Sequence, residues 1–228
     1  MKFNKRTLWL YGFFMTALLC PGLDGGAVSA QASVSPKAEW PQWRGAKRDG
    51  ISAEKGLLKT WPEGGPEVVW RAPIGEGFSS LSIAAGRLYT LAGAGADEFA
   101  LCLDAANGSE IWRFRSDDNF TESQGSGPRS TPTVDGDRVF VLSAKGKLYC
   151  LDAASGDKVW SRDLSRHFGS SIPGWGFAGS PLIEGDLLLL GTMQIDDGQR
   201  QHETTQIGEP DPSDRVTYPR CPPDTRIV

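Results

Sequence analysis

A thirteen-residue pattern written twice constrains this chain more than any other feature. Leu148 to Trp160 reads LYCLDAASGDKVW, and Ala100 to Trp112 reads ALCLDAANGSEIW. In each copy an aspartate (Asp104, Asp152) stands four residues before a glycine (Gly108, Gly156), and that glycine stands four before a tryptophan (Trp112, Trp160). The copies lie 48 residues apart, a period that belongs to repeat architectures.

One copy can be read physically. In LYCLD the side chains alternate across a strand, and Asp-Ala-Ala-Ser supplies a loop opened by an Asx-type hydrogen bond. Gly156 falls where the loop needs a positive φ, which a Cβ disfavours. Lys158 to Trp160 then returns as the second strand of a hairpin. A single hairpin cannot cover an indole, so each copy is expected to dock its tryptophan against a neighbour and so extend a continuous core.

The flanking sequence completes a larger unit. Ser79 to Leu91 holds a strand, a turn at Ala85-Gly86 and a second strand, and Ser130 to Leu142 repeats that plan ahead of the second motif. Gly86, Gly136 and Gly185 are 50 and 49 residues apart and mark the same turn. Four short strands in each period of about 50 residues predict antiparallel propeller blades. A third unit begins at Gly176 with GFAGSPLIEGDLLLL, and Glu67 to Trp70 (EVVW) reads as the last strand of a repeat whose first strands lie elsewhere. The fold class is all-β: a β-propeller of four-stranded antiparallel blades, incomplete, with about two whole blades and parts of two others.

These residues resemble the pyrroloquinoline quinone (PQQ)-like β-propeller superfamily, whose blades carry Ala-x-Asp-x-x-x-Gly-x-x-x-Trp. Cys102 and Cys150 take the alanine place, while Asp104, Gly108, Trp112, Asp152, Gly156 and Trp160 match. WPQWRGAKRDGIS, GSGPRSTPTVDGDRVFVL and WGFAGSPLIEGD are similar to exported bacterial propellers of the polyvinyl-alcohol-dehydrogenase-like kind. The likeness covers Trp40 to Leu190 and implies that the motif tryptophans are structural and dock between blades.

The chain opens with the marks of export. Lys2, Lys5 and Arg6 precede the apolar run Leu8 to Leu19, and Val28-Ser29-Ala30 supplies small residues for cleavage after Ala30, with Ala32 as the second choice. The run is short of the roughly 20 residues a spanning helix needs. Cys20 suggests lipidation, but Leu18-Leu19 before it lacks the expected small residue. Residues 1–30 are read as a signal peptide, 31–66 as an N-terminal surface segment, 67–190 as a partial propeller and 191–228 as a coil-like tail. The expected location is periplasmic or extracellular.

Loss of residues 1–30 removes three cations and one anion and takes the net charge from −4 to −6. No basic cluster survives, which argues against nucleic acid and anionic membrane surfaces as partners. Cys102 and Cys150 occupy equivalent places in adjacent repeats, too far apart for a bridge, and read as small buried thiols.

The pattern stops after Leu190. The next motif is due near residue 200, where the sequence reads RQHET, and no tryptophan follows Trp175. The stretch from Gly191 is rich in Asp, Pro, Thr and Gln without alternation, a composition of coil. The reading frame is therefore expected to be lost or truncated near Gly191, leaving unpaired blade edges that favour self-association.

Chemistry-bearing residues are sparse. His167 has no ligand at metal-binding spacing, and no nucleophile elbow or His-Glu-x-x-His pair occurs. Asp117, Asp118, Asn119 and Glu122 read as a solvated loop rather than a calcium site. Arg129 in GSGPRSTP and Trp175 in PGWGFAG stand at strand starts, where propeller loops converge, and are the candidate ligand-binding pair for a flat anion such as PQQ. The resemblance carries two functions. A quinoprotein alcohol dehydrogenase would use PQQ with calcium, but an adjacent Cys-Cys pair and an assignable aspartate base are missing. A non-catalytic binding or scaffold propeller of the cell envelope, contacting envelope proteins or a small ligand, needs only the fold and ranks first.

Overall fold

A computed structural model describes residues 39–185 and 187–191, with the backbone of 194–196, 199–201 and 226–227, all within the unit Val34–Val228. Residues 1–30, read from sequence as a signal peptide, with Cys20 among them, and most of the tail lie outside the described residues.

Two four-stranded meanders carry the repeat. The first is β1 (Ser82–Ala84), β2 (Arg87–Ala94), β3 (Asp97–Asp104) and β4 (Glu110–Asp118), ordered β1-β2-β3-β4. The second is β5 (Thr133–Asp135), β6 (Arg138–Leu142), β7 (Lys147–Asp152) and β8 (Lys158–Asp163), in the same order. All their pairings are antiparallel, as expected of propeller blades. Cys102 faces Trp112 and Cys150 faces Trp160, and both ladders slip register immediately after the cysteine. The same bulge at the same motif position shows that the loop sequence, not its surroundings, sets the local geometry.

The first turn differs in detail between units. It is Ala85-Gly86 in the first blade, with φ of 50° and 73°. In the second blade and the third unit the positive-φ glycine, Gly136 or Gly185, follows the strand directly at φ 56°. The same turn therefore holds its glycine second in one blade and first in the others.

Alternation along β6 divides two cores. Val139 and Val141 pack with Tyr89, Leu91, Cys102 and Trp112 of the first blade. Phe140 and Leu142 pack with Leu148, Cys150, Trp160, Phe177, Leu188 and Leu190 on the other side. A middle strand sandwiched between neighbouring blades is buried on both faces, and all of β6 is buried. Cys102 and Cys150 fall in different cores and neither forms a disulfide. Burial pushes the Cys102 thiol up to about 11, the state of an inert packing residue.

After β8 comes a short helix, α1 (Leu164–Phe168), capped by the Asp163 side chain and closed by Gly169 at φ 63°. His167 stands exposed on this helix. The third sheet contains β9 (Leu182–Glu184) and β10 (Leu187–Leu189), antiparallel, with β13 (Arg226–Ile227) parallel on the far side of β10. A separate hairpin pairs β11 (Gln194–Asp196) with β12 (Gln199–Gln201). The third unit thus starts as the others do and departs from them beyond β10, where the apolar alternation of the sequence ends. The three sheets form no closed ring among the described residues.

The segment around Trp40 is more than a surface drape. Trp40 and Ile83 exchange both backbone hydrogen bonds at 2.8 Å, and Val134 N–H donates to Pro41 O at 2.8 Å. Arg48 binds the Gln42 amide oxygen at 2.9 and 3.0 Å and reaches Pro181 O at 3.5 Å. Residues 40–48 therefore bond to β1 and β5 and reach Pro181, the residue before β9. Gly45 makes this possible, since a Cβ there would stand 2.8 Å from the Trp40 ring. Glu67–Trp70, read from sequence as a strand, has no ladder partner among the described residues. A strand is defined by its partner, and here only Trp70 is engaged.

Candidate functional site

The repeat motif is a docking device. Asp152 Oδ1 accepts from Ala154 N and Ser155 N at 2.9 and 3.0 Å, and Asp104 Oδ1 does the same for Ala106 and Asn107 at 2.8 and 3.1 Å. These Asx bonds turn the carbonyl after each aspartate outward. Trp112 Nε1 donates to Ala153 O at 3.1 Å, and Trp70 Nε1 donates to Ala105 O at 3.1 Å. The motif glycine forms the floor: a Cβ on Gly156 would meet the Trp112 ring at 2.7 Å, and one on Gly108 the Trp70 ring at 2.4 Å. Both glycines also hold positive φ, 78° and 74°. Each loop thus receives the tryptophan of the preceding unit, so the expected docking between blades is realised. Arg87 and Tyr89 add donors to the same Ala153 oxygen at 2.8 and 3.2 Å.

A second cluster lies at the starts of the innermost strands. Gly77, Gly127 and Gly176 each lie nine residues before the turn glycines, all at positive φ (140°, 96° and 75°). The Arg129 guanidinium lies 5.1 Å from the Phe78 ring centroid and 5.0 Å from that of Phe120. It pairs with Glu122 at 3.0 Å and donates to Gly125 O at 2.7 Å and to Gly127 O. Arg129 and Glu122 side chains are 8% and 12% exposed, so this is a closed brace. An incoming anion would have to displace Glu122.

Trp175, in contrast, is 61% exposed. Its loop is fixed by its neighbours: Phe177 N donates to Ala144 O at 2.8 Å, and a Cβ on Gly176 would stand 3.4 Å from the Phe120 ring. Phe78, 59% exposed, abuts Gly125, where a Cβ would lie 2.7 Å from the ring. Arg129 and Trp175 are thus linked through Phe120, one buried and one open to solvent. Sequence reasoning missed Phe78 and Phe120. The signal for Phe78 was present, since aligning the turn glycines Gly86 and Gly185 places it opposite Phe177.

The acidic stretch is also not the solvated loop expected. Asp117 lies on β4 and is 1% exposed; Glu98, on β3 beside it, is fully buried. Glu98 accepts from Ser116 Oγ at 2.9 Å and from Ala144 N at 3.2 Å. Asp117 accepts from Ser143 Oγ and Lys147 Nζ, both at 2.8 Å. Burial is the main cause that pushes the Glu98 carboxyl up to about 7. Two acids of one blade therefore hold the β6–β7 turn of the next. The blade interface needs polar partners for that turn, and sequence periodicity does not report this.

Among the described residues, no group of three or more His, Cys, Asp or Glu could hold a metal ion, and no helix is long and apolar enough to cross a membrane.

Residues 96–217 match the protein family described as outer membrane protein assembly factor BamB, more than half of the 228 residues. The chain belongs to this PQQ-like repeat family. The matched stretch runs on past Leu190 to residue 217. Among solved structures, BamB from Moraxella catarrhalis is 19% identical at a TM-score of 0.44, over 54% of this chain and 37% of that one. A quinohemoprotein alcohol dehydrogenase from Pseudomonas putida HK5 is 20% identical at 0.40, over 55% of this chain and 18% of that one. The corresponding enzyme from Comamonas testosteroni is 18% identical at 0.37, over 50% and 17%. The chain thus spans little more than a third of the first of these proteins and under a fifth of the other two. No curated protein matches it.

Proposed function

We propose that the protein is an exported binding or scaffold module of the cell envelope, acting without catalysis through the loops at the strand starts. The observation that carries this reading is the division of labour between Arg129 and Trp175. The cation that could recognise an anionic cofactor is enclosed by Glu122, Phe78 and Phe120, while Trp175 and Phe78 are exposed on rigid supports. Exposed aromatics on a braced surface suit contact with a protein better than capture of a small anion.

The residues described do not fit PQQ with calcium as they stand, because Arg129 is already paired and no carboxylate cluster is arranged for a metal. The reading as a fragment of a PQQ-dependent alcohol dehydrogenase-like oxidoreductase is separated from ours by a titration of the full chain with PQQ and calcium. We expect no cofactor absorbance to be retained after desalting; stoichiometric retention would replace the scaffold reading with the enzyme. A photo-crosslinker placed at Trp175 in the envelope should give a discrete protein adduct that Trp175→Ala competitor lacks power to displace. The signal peptide is tested by N-terminal sequencing of the exported protein, with Gln31 expected first.

A further inference from the structure

The two copies of the repeat loop differ at one reactive bond. Asn107 stands before Gly108 where the second copy has Ser155 before Gly156, and of the asparagines Asn4, Asn107 and Asn119 only Asn107 precedes a glycine. The backbone nitrogen that follows an asparagine can attack its carboxamide, and glycine, with no Cβ, obstructs that approach least. Asn107 is exposed, so ammonia can leave and water can enter.

In the closed loop the reacting groups are occupied. Gly108 N–H donates to Asp104 O at 2.8 Å, and the Asn107 amide oxygen accepts from Ser109 N at 2.8 Å. Asp104 N–H donates to Ser109 O at 2.8 Å and closes the loop from its other side. Trp70 lies over this loop: its ring covers the face of Gly108 that a Cβ would occupy, and its indole N–H holds Ala105 O at 3.1 Å. The attacking nitrogen is therefore bonded while the ring is seated and freed when the loop opens. Trp70 is delivered by Glu67–Trp70, which has no ladder partner among the described residues, and a seat held from such a segment opens at lower cost than one held from a paired strand.

We propose that Asn107 is a spontaneous modification site gated by the Trp70 dock, where opening of the dock is recorded as a permanent change in the chain. In the open loop base removes the Gly108 amide proton, the nitrogen bonds to Asn107 Cγ, and the bond from Cγ to the carboxamide nitrogen breaks with release of ammonia. Water then opens the cyclic imide at either carbonyl and leaves aspartate or isoaspartate; nothing is oxidised or reduced. The imide nitrogen carries no hydrogen, so the bond to Asp104 O is lost while the imide lasts. Isoaspartate adds a methylene to the backbone of the turn and sets a carboxylate beside Asp104, whose side chain accepts from Asn107 N at 3.1 Å in the closed loop. Gly108 is then displaced from beneath the indole. Ser155 has no carboxamide, so the second blade's loop is inert.

The test is peptide mapping of the full chain during incubation at pH 8, reading a gain of about 1 Da and isoaspartate at Asn107. Wild type, Trp70→Ala and wild type unfolded in guanidinium chloride are compared. The native wild type should react most slowly and the unfolded chain fastest. Trp70→Ala should exceed the wild type by on the order of tenfold, the ratio that about 1.4 kcal/mol of lost docking produces. Equal rates in native and unfolded wild type, or in Trp70→Ala and native wild type, overturn the gate, and an unfolded chain that stays unmodified removes the site altogether. If Trp70→Ala does not fold, Trp70→Phe decides, since it keeps a ring over Gly108 and loses the bond to Ala105 O. A rate between those of native and unfolded wild type supports the gate, and a rate equal to the native one overturns it.

Discussion

Two tryptophans occupy the same kind of seat on different supports. Trp112 stands near the start of β4, a strand paired along its length with β3, and docks on Gly156. Trp70 ends Glu67–Trp70, whose Val68 and Val69 are 54% and 81% exposed and unpaired among the described residues, yet it docks on Gly108 with the same 3.1 Å indole bond. The receiving loop, not the strand that delivers the ring, therefore defines the dock. The difference lies in what the dock stabilises: for Trp112 a packed interface between two blades, for Trp70 the attachment of a short segment.

If that distinction holds, equal substitutions should have unequal effects, read as shifts in the urea midpoint. Trp112→Ala should cost about 3–5 kcal/mol, because it empties the centre of the first interblade core. Gly156→Ala should cost about 3 kcal/mol, from positive φ and a ring that cannot retreat. Trp70→Ala and Gly108→Ala should each cost about 1–2 kcal/mol, since the displaced segment has little else to lose. Equal losses at the two docks would show that Glu67–Trp70 is as firmly built in as β4. Gly95→Ala is the reference: φ is 61° and nothing lies within 4 Å, so only the backbone term of about 1 kcal/mol is expected.

The docks show what could be read in advance. Asp104, Gly108 and Trp112, with their second copy, announced the hairpin, the Asx loop and an indole in need of a neighbour, because each rests on local stereochemistry. Which surface takes the indole was not legible, since the floor is a glycine 44 residues further along, Gly156 beneath Trp112. Arg129 precedes β5 by four residues, and its pairing with Glu122 and its seat between Phe78 and Phe120 depend on three separate turns converging. Asp117 looked like part of a solvated loop because a run of acids usually is one. It is buried because the next blade brings Ser143 and Lys147 to it.

By itself the sequence determined the blade: strand alternation, turn glycines and the Asp-to-Trp spacing are consequences of backbone geometry within one repeat. Only the tertiary structure decided how blades recognise one another, which residues face outward, and that a strap from Trp40 to Arg48 bonds to β1 and β5 and reaches Pro181. The physical reason is range. Dihedral preferences and hairpin hydrogen bonds act between near neighbours in the chain, whereas burial and ion pairing depend on residues that only the assembled sheets bring together.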